Sequence, residues 1–254
     1  MCLILVAWKV HADFPLVVAA NRDEFHARPT AGAGFWEDNP SILAGRDLEC
    51  MGTWLGVTRS GKFAAVSNYR DASHSSAGTH SRGLLASSFL GNGAPAQDFV
   101  TQVAADGTNY RGFNFLAGDR EDLWWISNRA PAPRRLAPGL YGVSNHLLDT
   151  PWSKVVRGKL GLARALQSTP AVETLLDLLA DTSLAPDETL PDTGVGRERE
   201  RMLSALRVMS TAYGTRCSTA VVVGRGGRVQ FAERSYGPQG EERDTLRYEF
   251  DLSG

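Results

Sequence analysis

Cys2 is the residue whose type and position together could do chemistry. Methionine is normally trimmed ahead of a small second residue, and loss of Met1 leaves a cysteine whose own α-amino group lies beside its thiol. An α-amine has an ordinary pKa of about 8, so at neutral pH part of it is free base that can take the thiol proton. Nucleophile and base then come from one residue. The same cysteine also reads as a small hydrophobe opening a buried strand. A second polar group, Asn21-Arg22-Asp23-Glu24, closes an apolar run. In an extended chain Asn21 and Asp23 share one face and Arg22 and Glu24 the other, so one pair can point into a site, with Asp23 able to orient an α-ammonium. Its other reading is a polar loop entry with a capping Asp or Asn.

Two Val-Ser-Asn runs end strand-like segments on Asn68 and Asn145. Asparagine has poor strand propensity, and an amide N–H at a strand end can donate to a developing oxyanion, a contribution of about 3 kcal/mol in comparable sites. Turn formation is the alternative for each. Arg216 leads into an apolar strand, where a guanidinium needs a partner or a ligand. It could hold a thiolate or a substrate carboxylate, or lie on an exposed rim. None of the five histidines has a metal-like spacing, which argues against metal hydrolysis. His146, beside Asn145, is a candidate ligand or proton carrier. Gly224-Arg225-Gly226-Gly227 resembles a phosphate loop, but it sits in a hairpin turn without a following helix.

These residues must be held by a fold, and 254 residues suffice for one domain over 1–254 with a sizeable core. The chain is 43% hydrophobic and 22% charged with a net charge of -1, which points away from nucleic acid. A small-molecule substrate or ligand is the expected partner. Cys2, Cys50 and Cys217 form no disulfide or zinc pattern, so a reducing compartment, the cytoplasm, is expected. The opening MCLILVAWKV is too short and too polar-flanked for a targeting segment, and no run reaches the ~20 apolar residues of a membrane span.

Apolar runs at 2–10 and 15–20 predict a hairpin, 25–40 a loop, and 53–57 with 62–68 a second hairpin. Residues 69–82, dense in Ser, His, Gly and Asp and including His74 and His80, predict a mobile lid. Helices are predicted over 82–90, 96–105, 152–167, 171–180 and 197–209, and 186–196 is a linker. Strands are expected at 112–117, 123–127, 141–144, 218–223, 228–234 and 246–250. Strands, then helices, then strands again argue for an α+β sandwich of antiparallel sheets covered by helices.

The Met-Cys start, Asn21-Arg22-Asp23-Glu24, Ser67-Asn68-Tyr69-Arg70-Asp71 and Ser144-Asn145-His146 with Leu148-Asp149-Thr150-Pro151-Trp152-Ser153-Lys154 together resemble the NRDE family, named for the tetrapeptide. That family includes the transport and Golgi organisation protein 2 of eukaryotes. A wider likeness is to the cysteine N-terminal-nucleophile (Ntn) amidases of the cholylglycine hydrolase and penicillin V acylase group. The resemblance implies an Ntn-hydrolase-like αββα sandwich, and by motif and order it implies Cys2, Asp23, Asn68, Asn145 and Arg216 as the catalytic set. Asn21, Arg22, Glu24, Tyr69, Arg70 and His146 are the accompanying binding residues. Those amidases carry an arginine three places before the Asp, where this chain has Ala20; Arg22 shares its strand face. The resemblance therefore implies either an amidase or acyl hydrolase working through Cys2, or a non-catalytic protein that uses the same pocket for haem, lipid or acyl-ligand trafficking. No cofactor or metal is expected, with haem as a ligand in the second case.

Overall fold

The computed structural model describes residues 2–70 and 80–253, so Met1, Asp71, His74 and most of the expected lid lie outside the described residues. One sheet has six antiparallel strands in the order β10-β1-β2-β11-β12-β13. They are β1 (Cys2–Trp8), β2 (Leu16–Phe25), β10 (Gly139–Ser144), β11 (Tyr213–Val223), β12 (Arg228–Tyr236) and β13 (Glu242–Asp251). The other sheet runs β3 to β9 in chain order: β3 (Thr30–Phe35), β4 (Ile42–Asp47), β5 (Leu55–Thr58), β6 (Phe63–Asn68), β7 (Phe113–Gly118), β8 (Leu123–Ser127) and β9 (Arg134–Arg135). The helices are α1 (Gly83–Gly91), α2 (Ala96–Asp106), α3 (Ser153–Ala165), α4 (Val172–Leu179) and α5 (Arg197–Met202).

Both central strands are apolar on both faces, and the two-residue pleat decides what each face meets. Leu3, Leu5, Ala7, Val17 and Ala19 pack under Val155, Leu162, Leu175 and Leu179 of α3 and α4. Ile4, Val6, Trp8, Val18 and Ala20 face the second sheet. On the far side of that sheet, Phe89 of α1 and Phe99 of α2 close on Phe115 of β7 at ring separations of 6.3 and 5.9 Å. The layers are thus α, β, β, α, the sandwich expected from the order of elements. No described helix is long and apolar enough to cross a membrane.

Three expectations are corrected. The loop over 25–40 contains β3, and β4 follows it; glycines and charges hide the strand period there, and Gly45 is the surface on which the Trp54 ring lies. The strand expected to end at Ala20 continues to Phe25, so Asn21 to Glu24 belong to the strand and not to a loop entry. The helix expected over 197–209 stops at Met202. Beyond it, the carbonyls of Leu203, Ser204 and Leu206 accept from Lys154, Arg157 and Asn21, so this segment satisfies its backbone against side chains instead of within a helix.

Asn21 binds the layers at this point. Its side-chain amide donates to Leu179 O at 3.0 Å and Leu206 O at 2.8 Å, and its oxygen accepts from Ser218 Oγ at 2.5 Å, all of it buried. Asn21→Ala leaves these groups unsatisfied and is expected to cost about 3 kcal/mol in urea denaturation. A loss below about 0.5 kcal/mol would contradict this role.

Candidate active site

Cys2 is the first residue of β1 and pairs with β2 opposite Arg22. Across β2, Arg22 pairs with Cys217 of β11, just past a bulge between Thr215 and Cys217. Cys2, Arg22 and Cys217 therefore sit side by side on the face turned towards the second sheet. Cys2 and Cys217 are separated by a whole strand, about 10 Å between backbones, which is beyond disulfide reach; all three cysteines are free. At this end the two sheets part around a cavity of about 400 Å³, whose wall includes Cys2, Arg22, Asp23, Glu24, Trp54 and Asn68. Burial pushes the Cys2 thiol up and the Asp23 carboxylate charge pushes it further, opposed by the Asp23 backbone N–H and by the Arg22 charge.

Asp23 also borders the cavity, but its side chain is held from the helix side of the sheet. Thr215 Oγ1 donates to Oδ1 at 2.6 Å, and Lys154 Nζ of α3 lies 3.9 Å from Oδ2. The Lys154 ammonium is buried and donates to Leu203 O at 3.0 Å. Burial drives Asp23 up and Lys154 down, and each is opposed by the charge of the other. Lys154 was singled out by neither composition nor strand pattern. Its signal was helical: it shares with Val155, Gly158 and Leu162 the face of α3 that enters the core, where a lysine needs a counter-charge.

Arg22 lies 4.3 Å over the Trp54 ring and donates to Thr30 Oγ1 at 3.3 Å. It faces the same side as Ala20, and its charge acts on the Cys2 thiol, so the space next to Cys2 holds a guanidinium despite the alanine. Glu24 borders the cavity and accepts from the Phe25 N–H at 2.9 Å. Asn21, by contrast, points away into the helix layer.

Asn68 borders the cavity at the end of β6, and no hydrogen bond among the described residues engages its side-chain amide. Asn145 lies behind it, donating to Asn68 O at 3.0 Å and accepting at its own carbonyl from the Arg70 N–H at 2.7 Å. The two asparagines are brought together, one on the wall and one supporting it across the sheets. Arg70 forms a buried ion pair with Glu200 at 3.0 Å and stacks over Trp152 at 4.7 Å. His146 packs between Tyr69 and Trp152 and bonds Thr150 Oγ1 at 2.8 Å; burial, with Arg70 adding to it, lowers its pKa. Tyr69, Arg70 and His146 thus form a supporting cluster off the cavity wall. Arg216, in the β11 bulge, donates to Phe25 O and Arg28 O at 2.9 and 3.0 Å, so it ties down the turn after β2 and does not border the Cys2 cavity. Among the described residues no group of three His, Cys, Asp or Glu is placed to hold a metal ion.

Removing Lys154 takes a buried counter-charge away from the Asp23 carboxylate. Lys154→Met is expected to cost about 3 kcal/mol in chemical denaturation at pH 8, with part of it recovered in the Lys154→Met/Asp23→Asn double variant. Without the ammonium, the folded-state pKa of Asp23 stands further above its unfolded value, so folding favours the protonated form. The deficit is therefore smallest at acid pH and grows as pH rises through the folded-state pKa. A deficit independent of pH between 5 and 8 would contradict the pairing.

The Transport and Golgi organisation 2 family model matches residues 1–238. The mouse Transport and Golgi organization 2 homolog is 36% identical over 94% of this chain and 93% of its own length, and the human homolog is 37% identical over the same shares. The Drosophila melanogaster protein of that name is 28% identical over 91% of each chain. Among solved structures, the Caenorhabditis elegans N-acylethanolamine-hydrolyzing acid amidase ortholog superposes with a TM-score of 0.54 at 9% identity, covering 87% of this chain and 92% of that one. This is a likeness of fold alone. With most of its length matched by the family model and by its mammalian homologues, the chain belongs to the Transport and Golgi organisation 2 family.

Proposed function

We propose that this chain is a cysteine Ntn hydrolase cleaving a small amide or ester. One observation carries the reading: Cys2 lies on the cavity wall beside Asp23, whose carboxylate is held by Thr215 and Lys154. Once Met1 is removed, the Cys2 amine takes the thiol proton and the thiolate attacks the acyl carbon, forming an S–C bond. Asp23 orients the resulting ammonium. Asn68 donates to the oxyanion, supported by Asn145 at its carbonyl. As the tetrahedral adduct collapses, the C–N or C–O bond breaks and the ammonium gives its proton to the leaving group. The amine then deprotonates a water that attacks the thioester, releasing the acid and restoring the thiol. Such a nucleophile must stay reduced, which agrees with a cytoplasmic location and with three free cysteines.

The second reading, a haem or lipid carrier, draws on Cys2 and His80, both on the cavity wall and both able to ligate iron. The lining does not fit a macrocycle or an acyl chain: among its described residues Trp54 and Val66 are the large apolar ones, and charged side chains dominate the rest. A haemin titration is expected to show no Soret shift at one equivalent of protein. A saturable shift lost in Cys2→Ala or His80→Ala would establish the carrier instead.

The hydrolase reading is tested with a panel of acyl amides and esters. Cys2→Ala is expected to abolish turnover, and Asn68→Ala to lower kcat about 100-fold while leaving the unfolding midpoint within error of the parent. Unchanged turnover in Cys2→Ala would remove the nucleophile.

A further inference from the structure

The cavity beside Cys2 carries more cationic than anionic groups once pairs are matched. Arg28 pairs with Asp47 at 2.8 Å and Glu49 at 3.0 Å, two carboxylates to one guanidinium, and Asp23 is matched by Lys154. Arg22, Arg82 and Arg111 also line the cavity, and among the described residues none forms an ion pair with a carboxylate. Against their three charges stand Glu24 and the second of the two carboxylates at Arg28.

Arg22 is the most telling of the three. It is 6% exposed, yet among the described residues its five donors make a single bond, to Thr30, and Trp54 supports its flat face. Arg82 comes from the start of α1 on the opposite wall, where it gives one bond to Gly112 O at 3.2 Å. Burial lowers its pKa, and the neighbouring Arg111 charge lowers it further. Guanidiniums so placed are costly unless an anion comes between them, and their fork of donors matches carboxylate and phosphate oxygens.

We infer that the ligand of this cavity is an anion, carrying a carboxylate or phosphate group that Arg22, Arg82 and Arg111 receive next to the Cys2 sulfur. For a hydrolase this selects acyl compounds with a charged leaving half, such as an N-acyl amino acid, over neutral ones such as an N-acylethanolamine. The inference rests on the hydrolase reading only for the word substrate, and its test needs no turnover.

Iodoacetate and iodoacetamide are nearly the same size and alkylate the same thiolate by the same displacement, in which an S–C bond forms and iodide leaves. Their rate ratio therefore cancels the pKa of the thiol and reports the field at the sulfur. With labelling mapped to Cys2 by peptide mass, the iodoacetate to iodoacetamide ratio is expected to exceed that of N-acetylcysteine by about 10-fold and to fall when salt is raised to about 0.5 M. Arg82→Gln and Arg111→Gln should each lower it at least about 3-fold, and Arg82→Lys should restore most of the loss. Succinate or inorganic phosphate should slow Cys2 labelling in the parent protein, and the more effective of the two identifies the anion. A ratio at or below that of N-acetylcysteine, or one that both glutamine variants leave unchanged, overturns the inference. A raised, arginine-dependent ratio in a protein that cleaves no acyl compound keeps the anion site and discards the hydrolase.

Discussion

The pairing of β1 with β2, in which Cys2 lies opposite Arg22, is the constraint on which the site depends. Because side chains alternate along a strand, that one register decides that Arg22 faces the second sheet with Cys2, while Asn21 and Asp23 face the helices. A slip of one residue would bury the arginine among leucines and turn the two acceptors into the sheet interface. The register is specified on both sides: Leu3 and Leu5 must meet α3 and α4, and Ile4 and Val6 must meet the other sheet. The apolar strands hold the polar tetrapeptide in place.

That arrangement brings charges into a low-dielectric layer, where each requires an answer. Lys154 answers Asp23, and Glu200 answers Arg70. Glu200 is itself held by Thr193, whose N–H and hydroxyl both donate to it, and Lys154 and Asn21 fix the irregular segment after α5 by bonding its carbonyls. The polar groups under the first sheet thus form a framework that positions a carboxylate beside Cys2 from behind. On the cavity side the conditions differ: Arg22 rests on an aromatic ring and spends few of its donors, and Asn68 leaves its amide to the cavity. Groups satisfied by the fold lie on the helix face of β2, and Arg22 lies on the face that borders the cavity.

Much of this was legible in the sequence. Alternating and continuous apolar runs marked the strands of the first sheet, turn residues marked the hairpins, and the polar ends of β6 and β10 marked where those strands stop. The extent of β2 was not legible, because Asn21 to Glu24 look like a loop until Leu179, Leu206 and Thr215, distant in sequence, supply their partners. β3 and β4 were hidden because glycine and charge carry little strand signal. The bonding partners of the site residues were less legible than their types. Arg216 serves a turn and Asn145 serves Asn68, tasks set by a bulge and by a contact between sheets that no local pattern encodes. Lys154 could have been noticed as a charge on the buried face of an amphipathic helix.

The central claim is that Cys2 is an N-terminal nucleophile supported by Asp23. The most direct measurement is the intact mass of the purified chain after treatment with an activated acyl ester, followed by mapping of the adduct. The account predicts a mass lacking Met1, one acyl group added at Cys2, and loss of that adduct with time in the parent but its persistence in Asp23→Asn. A chain that retains Met1, or one that is acylated at Cys50 or at lysines while Cys2 stays free, would contradict it.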